Sequence, residues 1–223
     1  MTTRKDGLET RQRIVETAVK VFADHGFHEA THVAISELAE VNTASINYHF
    51  GSKADLYVET WKYLVTQADL IHPADGGVPD DASPGERLRG RISGLICRIA
   101  DRGCMGAMHG FRVKEMANPT GLLDESMDTL HRKNHDVTVD VLRDIVGPDA
   151  TDLTLDLCER SIIGQCFMMR APHWENDKGI LPCNADDIAD HIHRFSMAGI
   201  REICAEPEQQ GKCSKSADSN EAT

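Results

Sequence analysis

The chain has 223 residues, of which 40% are hydrophobic and 5% aromatic, and its formal net charge is −12. No apolar run approaches the ~18 residues of a membrane span. Met1–Asp6 is polar with no apolar stretch behind it, so the expectation is a globular, cytoplasmic protein with a core of Leu, Ile, Val, Ala and Met. The charge argues against a generic polyanion binder, but it is uneven: residues 1–63 carry 7 Lys/Arg against 9 Asp/Glu, and residues 64–223 carry 17 against 27. Any contact of the first segment with nucleic acid must depend on where a few cations and donors point.

In chain order, Leu8, Ile14, Val15, Ala18, Val19 and Phe22 form a helical stripe over residues 8–25, stopped by Gly26. Short helices follow over 33–40 and 44–50, the second capped by Asn42 or Thr43. Ser52 caps a longer helix over 53–71. Residues 72–84, HPADGGVPDDASP, exclude a helix and read as an exposed loop. Helices are expected over 86–100, 105–117, 122–146, 153–170 and 185–204, with breaks at Asn118-Pro119, Gly147-Pro148 and 172–182. No period-2 strand pattern occurs, so the fold class is all-α. Residues 8–60 and 61–205 are expected to form two helical domains, and the polar stretch 206–223 a disordered tail.

Function concentrates between Gly26 and Tyr57. Ile35, Leu38 and Ala39 face inward from one short helix, Val41 fills a turn, and Ile46 and Phe50 anchor the next helix. Outward positions of that second helix hold Thr43, Ala44, Ser45, Asn47, Tyr48 and His49, residues able to approach base edges and phosphates. An exposed first turn suits docking in a major groove. Lys53 adds a cation beside free N–H groups at a helix start.

This stretch resembles the DNA-binding domain of TetR-family regulators. The residues that carry the resemblance are Gly26-Phe27, Ile35, Ala39, Val41, Ile46-Asn47-Tyr48-His49-Phe50-Gly51-Ser52-Lys53 and Leu56-Tyr57. The run from Val41 to Lys53 is similar to the CecR-type branch, and a more diffuse similarity continues through Lys114-Glu115-Met116, Pro119-Thr120 and Ile163-Gly164-Gln165-Cys166. The resemblance implies that Thr43, Ala44 and Asn47 face bases and that Thr31, Ser45, Tyr48, His49 and Lys53 meet phosphates. It implies a homodimer on double-stranded palindromic operator DNA, repression as the default, and a small-molecule effector. Two positions depart from the pattern. Glu40 stands where the family has a glycine in a left-handed turn, and His32 stands where an apolar residue is usual.

In the second domain Met105, Met108, Phe111, Met116, Phe167, Met168, Met169 and Trp174 offer an adaptable apolar lining. His109, Arg112, Gln165 and Arg170 can orient a polar ligand group. The plainer alternative is a Met-rich core, with Arg112 and Arg170 paired to Glu115 or Glu159. Ile162, Ile163, Phe167, Ile192, Phe195 and Ile203 suggest a dimer seam on the helices over 153–170 and 185–204.

Two other functions compete with this reading. One is a regulator of the same fold sensing redox or metal. Seven cysteines occur without a C-x-x-C pair and read mostly as buried thiols; Cys97 beside Arg98 is the best candidate for an activated one. His191 and His193, with Cys183 nearby, invite a metal, but their two-residue spacing sends them to different helix faces. The other is an enzyme, for which no nucleophile elbow, zinc-protease, phosphate-loop or dinucleotide motif is present. No catalytic residue, cofactor or metal is therefore expected.

Overall fold

A computed structural model describes residues 2–101, 104–168 and 184–205. Among them are nine α-helices and no strand: α1 (Thr2–Glu29), α2 (His32–Leu38), α3 (Thr43–Phe50), α4 (Lys53–Ile71), α5 (Pro84–Ala100), α6 (Cys104–Ala117), α7 (Asp124–Val146), α8 (Asp152–Met168) and α9 (Ala185–Ala205). No helix among the described residues is long and apolar enough to cross a membrane. The stretch 206–223, the loop over 172–182, Cys183, Met169, Arg170 and Trp174 lie outside the described residues.

Local chemistry sets the helix boundaries. Gly26, at φ 73°, breaks α1 near its end. Thr31, Asn42 and Ser52 accept from backbone N–H groups at the starts of α2, α3 and α4. Ser83 and Glu86 form a reciprocal capping box, with Pro84 in the first turn of α5. Helix α1 begins earlier than its apolar stripe, and Leu8 is exposed.

Two apolar clusters organise the chain. The first unites Ile14, Ala18 and Phe22 of α1, Ile35 of α2, Ile46 of α3 and Leu56, Tyr57, Trp61 and Leu64 of α4 with Met108 and Phe111 of α6. The second packs α5, α7, α8 and α9 around Leu88, Ile92, Leu142, Leu155, Ile162 and Ile192. The boundary expected at residue 60 falls inside α4, whose second half stays in the first cluster.

The loop after α4 is fastened down. A Cβ on Gly90 would sit 2.3 Å from the Asp75 carbonyl oxygen, and one on Gly94 2.5 Å from that of Pro73. The two glycines leave a furrow on α5 that receives the loop backbone, so the loop, exposed along most of its length as expected, is also fastened to α5.

The proposed seam residues separate in the same way. Ile162 and Ile192 are core, and Phe167 packs against that core. Phe195 and Ile203 remain exposed, joined by Leu153, Leu157 and Met168, which the sequence reading did not assign to a seam.

Candidate functional site

Helices α2 and α3 are held as a pair. The Ser36 and Thr43 hydroxyls lie 3.0 Å apart and link them, and Val41 N–H donates to the Ser36 carbonyl across the turn. Ser36 is buried, a coupling that its polar character concealed in the sequence. Leu38, expected inside, is exposed, because the helix ends there and Ala39 takes the core position.

The outer surface of α3 presents Ala44, Asn47 and Tyr48, the last 85% exposed. Ser45 and His49 are half-buried on its flanks, and the His49 ring meets that of Tyr48 edge-on at 5.1 Å. Thr43 is also half-buried, with its hydroxyl engaged by Ser36. Thr31 is exposed at the start of α2, where its hydroxyl oxygen accepts from Ala34 N–H at 3.1 Å. The pair carries no Lys or Arg from residue 32 to 50.

Lys53 requires a correction. Its ammonium donates to the carbonyl oxygens of Phe27 at 2.8 Å and Ala30 at 3.0 Å and lies 4.5 Å above the Phe27 ring. The cation satisfies orphan carbonyls after the Gly26 break and ties the end of α1 to the start of α4. It is turned inward, away from the phosphate position expected of it. His32 lies beside it, and burial first, then the lysine charge, push that imidazole below its usual range.

Glu40 adopts φ 52°, the one non-glycine residue in the left-handed region among those described. That conformation costs a side-chain-bearing residue about 1 kcal/mol or more. Glu40→Gly should therefore raise the unfolding midpoint slightly and bind operator DNA at least as tightly, since strain and an exposed negative charge both go. Gel-shift titration checks this; a clear fall in affinity would reveal a contact made by the carboxylate.

Between the two clusters lies a cavity of about 440 Å³. Its wall includes Trp61, Leu88, Ile92, Met108, His109, Arg112, Ile162, Ile163, Cys166 and Phe167. Three of the residues expected at a ligand, Met108, His109 and Arg112, thus face it. Phe111 does not: it is fully buried among Tyr57, Phe22 and Trp61, with ring centroids at 4.5, 6.0 and 5.8 Å. Met116 is 73% exposed beyond the cavity. Gln165 lies outside the lining, donating to the Ser161 carbonyl and the Ser196 hydroxyl. The side chain of Met105, and Met169 and Arg170 entirely, are outside the described residues. Helix α6 turns Met108, His109 and Arg112 to the cavity while Phe111 and Glu115 enter the first cluster.

Glu115 is the residue of this region that sequence reasoning missed, having weighed it only as a partner for an arginine. Buried, it accepts from the Tyr57 hydroxyl at 2.7 Å and from the Thr120 N–H and hydroxyl. Burial, then this hydrogen bond, push the Tyr57 phenol far above its usual range. Trp61 Nε1–H, from α4 as well, donates to Ser126 Oγ of α7 at 2.9 Å. A buried tyrosine–carboxylate bond thus fastens α4, which begins beside α3, to α6.

The competing sensors find little footing. Cys158 and Cys166 are buried, and burial pushes the Cys166 thiol up to about 12. The Arg98 guanidinium beside Cys97 is bound to Asp69 and the His72 carbonyl. His191 is exposed and stacks near Phe195, while His193 turns inward.

Residues 14–60 match the family model for bacterial regulatory proteins of the tetR family, and residues 84–200 match that for the C-terminal domain of the HTH-type transcriptional dual regulator CecR. A probable acrEF/envCD operon repressor of Escherichia coli (strain K12) is 33% identical over 91 residues, which span 40% of this chain and 40% of that protein. Two solved structures share the fold at a TM-score of 0.65. FadR from Bacillus subtilis, in complex with stearoyl-CoA, is 17% identical, with 84% of this chain and 98% of that one covered. AibR, in complex with isovaleryl coenzyme A and operator DNA, is 18% identical, with 83% and 97% covered. With the CecR-type model spanning more than half of its residues, the chain belongs to the TetR family of transcriptional regulators, in the CecR-type branch.

Proposed function

We propose that this protein is a ligand-responsive repressor that binds a palindromic operator as a homodimer in the cytoplasm and releases it when a small molecule enters the cavity. The observation that carries the reading is the double role of α6. One face lines the cavity through Met108, His109 and Arg112, and the adjoining positions, Phe111 and Glu115, are embedded in the unit that carries α3. A ligand that moves α6 must move α4 or break the Tyr57–Glu115 bond. Differential contacts of this kind are the physical requirement for one site to influence another. The acyl-CoA molecules bound in the AibR and FadR structures support the reading by analogy of fold.

The dimer rests on α8 and α9. Leu153, Leu157, Met168, Phe195 and Ile203 are exposed large apolar residues. A Cβ on Gly164 or Gly199 would meet nothing within 4 Å, so a partner helix can approach closely there. An apolar strip with open small-residue positions suits a helical two-fold seam. Thr31, Thr43, Ala44, Ser45, Asn47, Tyr48 and His49 remain the proposed DNA contacts, with Thr43 acting also through its bond to Ser36.

The test is recovery of sequence-selected DNA with the pure protein, followed by titration of variants. Asn47 offers an exposed amide able to bond an adenine edge through two atoms. Asn47→Ala should cost roughly 1–3 kcal/mol on the selected operator and relax preference at one base pair per half-site. Equal weakening on selected and random DNA would remove Asn47 from base readout.

A further inference from the structure

Most charged groups around the cavity have partners; the exposed Arg160 and the half-buried Arg112 are not among them. Arg91 donates to the Thr138 hydroxyl and the Asn134 carbonyl, each at 2.9 Å. Arg98 is held by Asp69 at 2.8 Å and the His72 carbonyl at 2.7 Å. Glu159 accepts from His135 at 3.0 Å. Arg112 has the face of Phe167, with its guanidinium carbon 5.6 Å from the ring centroid, and His109 stacks near the same ring at 6.0 Å. Among the described residues no carboxylate lies within 4 Å of Arg112 and no acceptor takes its N–H groups. The alternative partners weighed from sequence are occupied: Glu115 by Tyr57 and Thr120, Glu159 by His135.

A guanidinium stays protonated and presents five N–H donors in a planar fork shaped for an oxyanion. Half-buried in the cavity wall without a paired carboxylate, it is costly to the empty protein. Resting on the reading of this cavity as the effector site, we propose that the effector is a compact amphipathic anion whose carboxylate is received by Arg112 and whose apolar body lies against Leu88, Ile92, Met108 and Ile162. Phe167 packs its ring near the guanidinium. The volume of about 440 Å³ lies within the range of small-molecule pockets. A phosphate of an acyl-CoA shares the oxyanion chemistry; a carboxylate is the smaller group that matches the planar fork of Arg112.

Three matched pairs test this on the full chain: decanoate, 4-phenylbutyrate and 2-naphthoate, each beside its uncharged primary amide, with decanoyl-CoA as a further arm. Thermal melting and operator release are the readouts. At least one carboxylate should bind and release operator, with its amide weaker by about tenfold or more, the weight of a charge-assisted pair. Arg112→Met should bind acid and amide alike, and without ligand should melt no lower than the wild type, because it removes an unmatched charge while keeping the aliphatic stem. Activity of decanoyl-CoA alone, dependent on Arg112, would keep the oxyanion and assign it to the phosphates.

Amides that bind as well as their acids would overturn the anion while leaving the cavity as an effector site. A ligand-free Arg112→Met protein that melts well below the wild type would overturn it too, by exposing an internal partner. Silence of all seven compounds would remove the effector site and the anion together.

Discussion

Phe111→Ala should destabilise the protein by about 3–5 kcal/mol, the range for removing a fully buried aromatic ring. Phe111 is 0% exposed, stacks on Tyr57 at 4.5 Å with an interplanar angle of 21°, and meets Phe22 and Trp61. These rings come from α1, α4 and α6, so the void would open where the DNA-binding unit is joined to the rest of the chain. In a chain of this size the melting temperature should fall on the order of ten degrees. Operator binding should weaken with it, through loss of folded protein and a loosened α4. His109→Ala, two residues earlier on the cavity wall, should lower the melting temperature less, since a half-buried ring is lost instead of a fully buried one. If Phe111→Ala melted like the wild type yet no longer answered an effector, Phe111 would be a ligand contact, and the packing reading would fail.

The second large effect is expected at the seam. Phe195→Glu should convert the dimer to a monomer, because a two-fold axis brings the same new charge from both copies into one apolar strip. A monomer holds one half-site, so operator affinity should fall by about 10²–10⁴-fold, the usual gain from joining two binding modules. Leu157→Glu on α8 should do the same. Both residues are exposed in the single chain, so neither change opens the core, and helix content by circular dichroism should be preserved. Light scattering beside fluorescence anisotropy on operator DNA checks mass and affinity in the same samples. Persistence of a dimer in both variants would place the interface elsewhere.

The helix-turn-helix was legible because its signals are local. Asn42, Ser52 and Thr31 cap helices in the way their side chains allow, and Gly26 breaks α1 where the stripe ends. Even the anomaly was legible: the turn demands a left-handed residue, and Glu40 supplies it at φ 52°. The charge on Lys53 was equally plain, but its destination was not. The carbonyls of Phe27 and Ala30 lie more than twenty residues earlier, and only the packing of α1 on α4 brings them within 3.0 Å.

The sequence by itself determined the all-α class, the positions of the helix breaks, the outward side of α3 and the family. The first three follow from caps, glycine conformations and a 3.6-residue period, properties of neighbours along the chain; the family was carried by the resemblance of the run from Val41 to Lys53. The tertiary structure decided which neighbour each apolar face meets. Helix α6 is apolar on more than one side, so periodicity groups Met108 with Phe111 and Arg112 without saying that Phe111 joins Tyr57 while His109 and Arg112 face a cavity. Burial depends on contacts between residues far apart in sequence, such as Tyr57 with Glu115, and on glycine furrows such as that on α5. Whether a methionine or an isoleucine lines the core, a cavity or a seam is a fact of how helices pack, and a one-dimensional pattern carries no term for it.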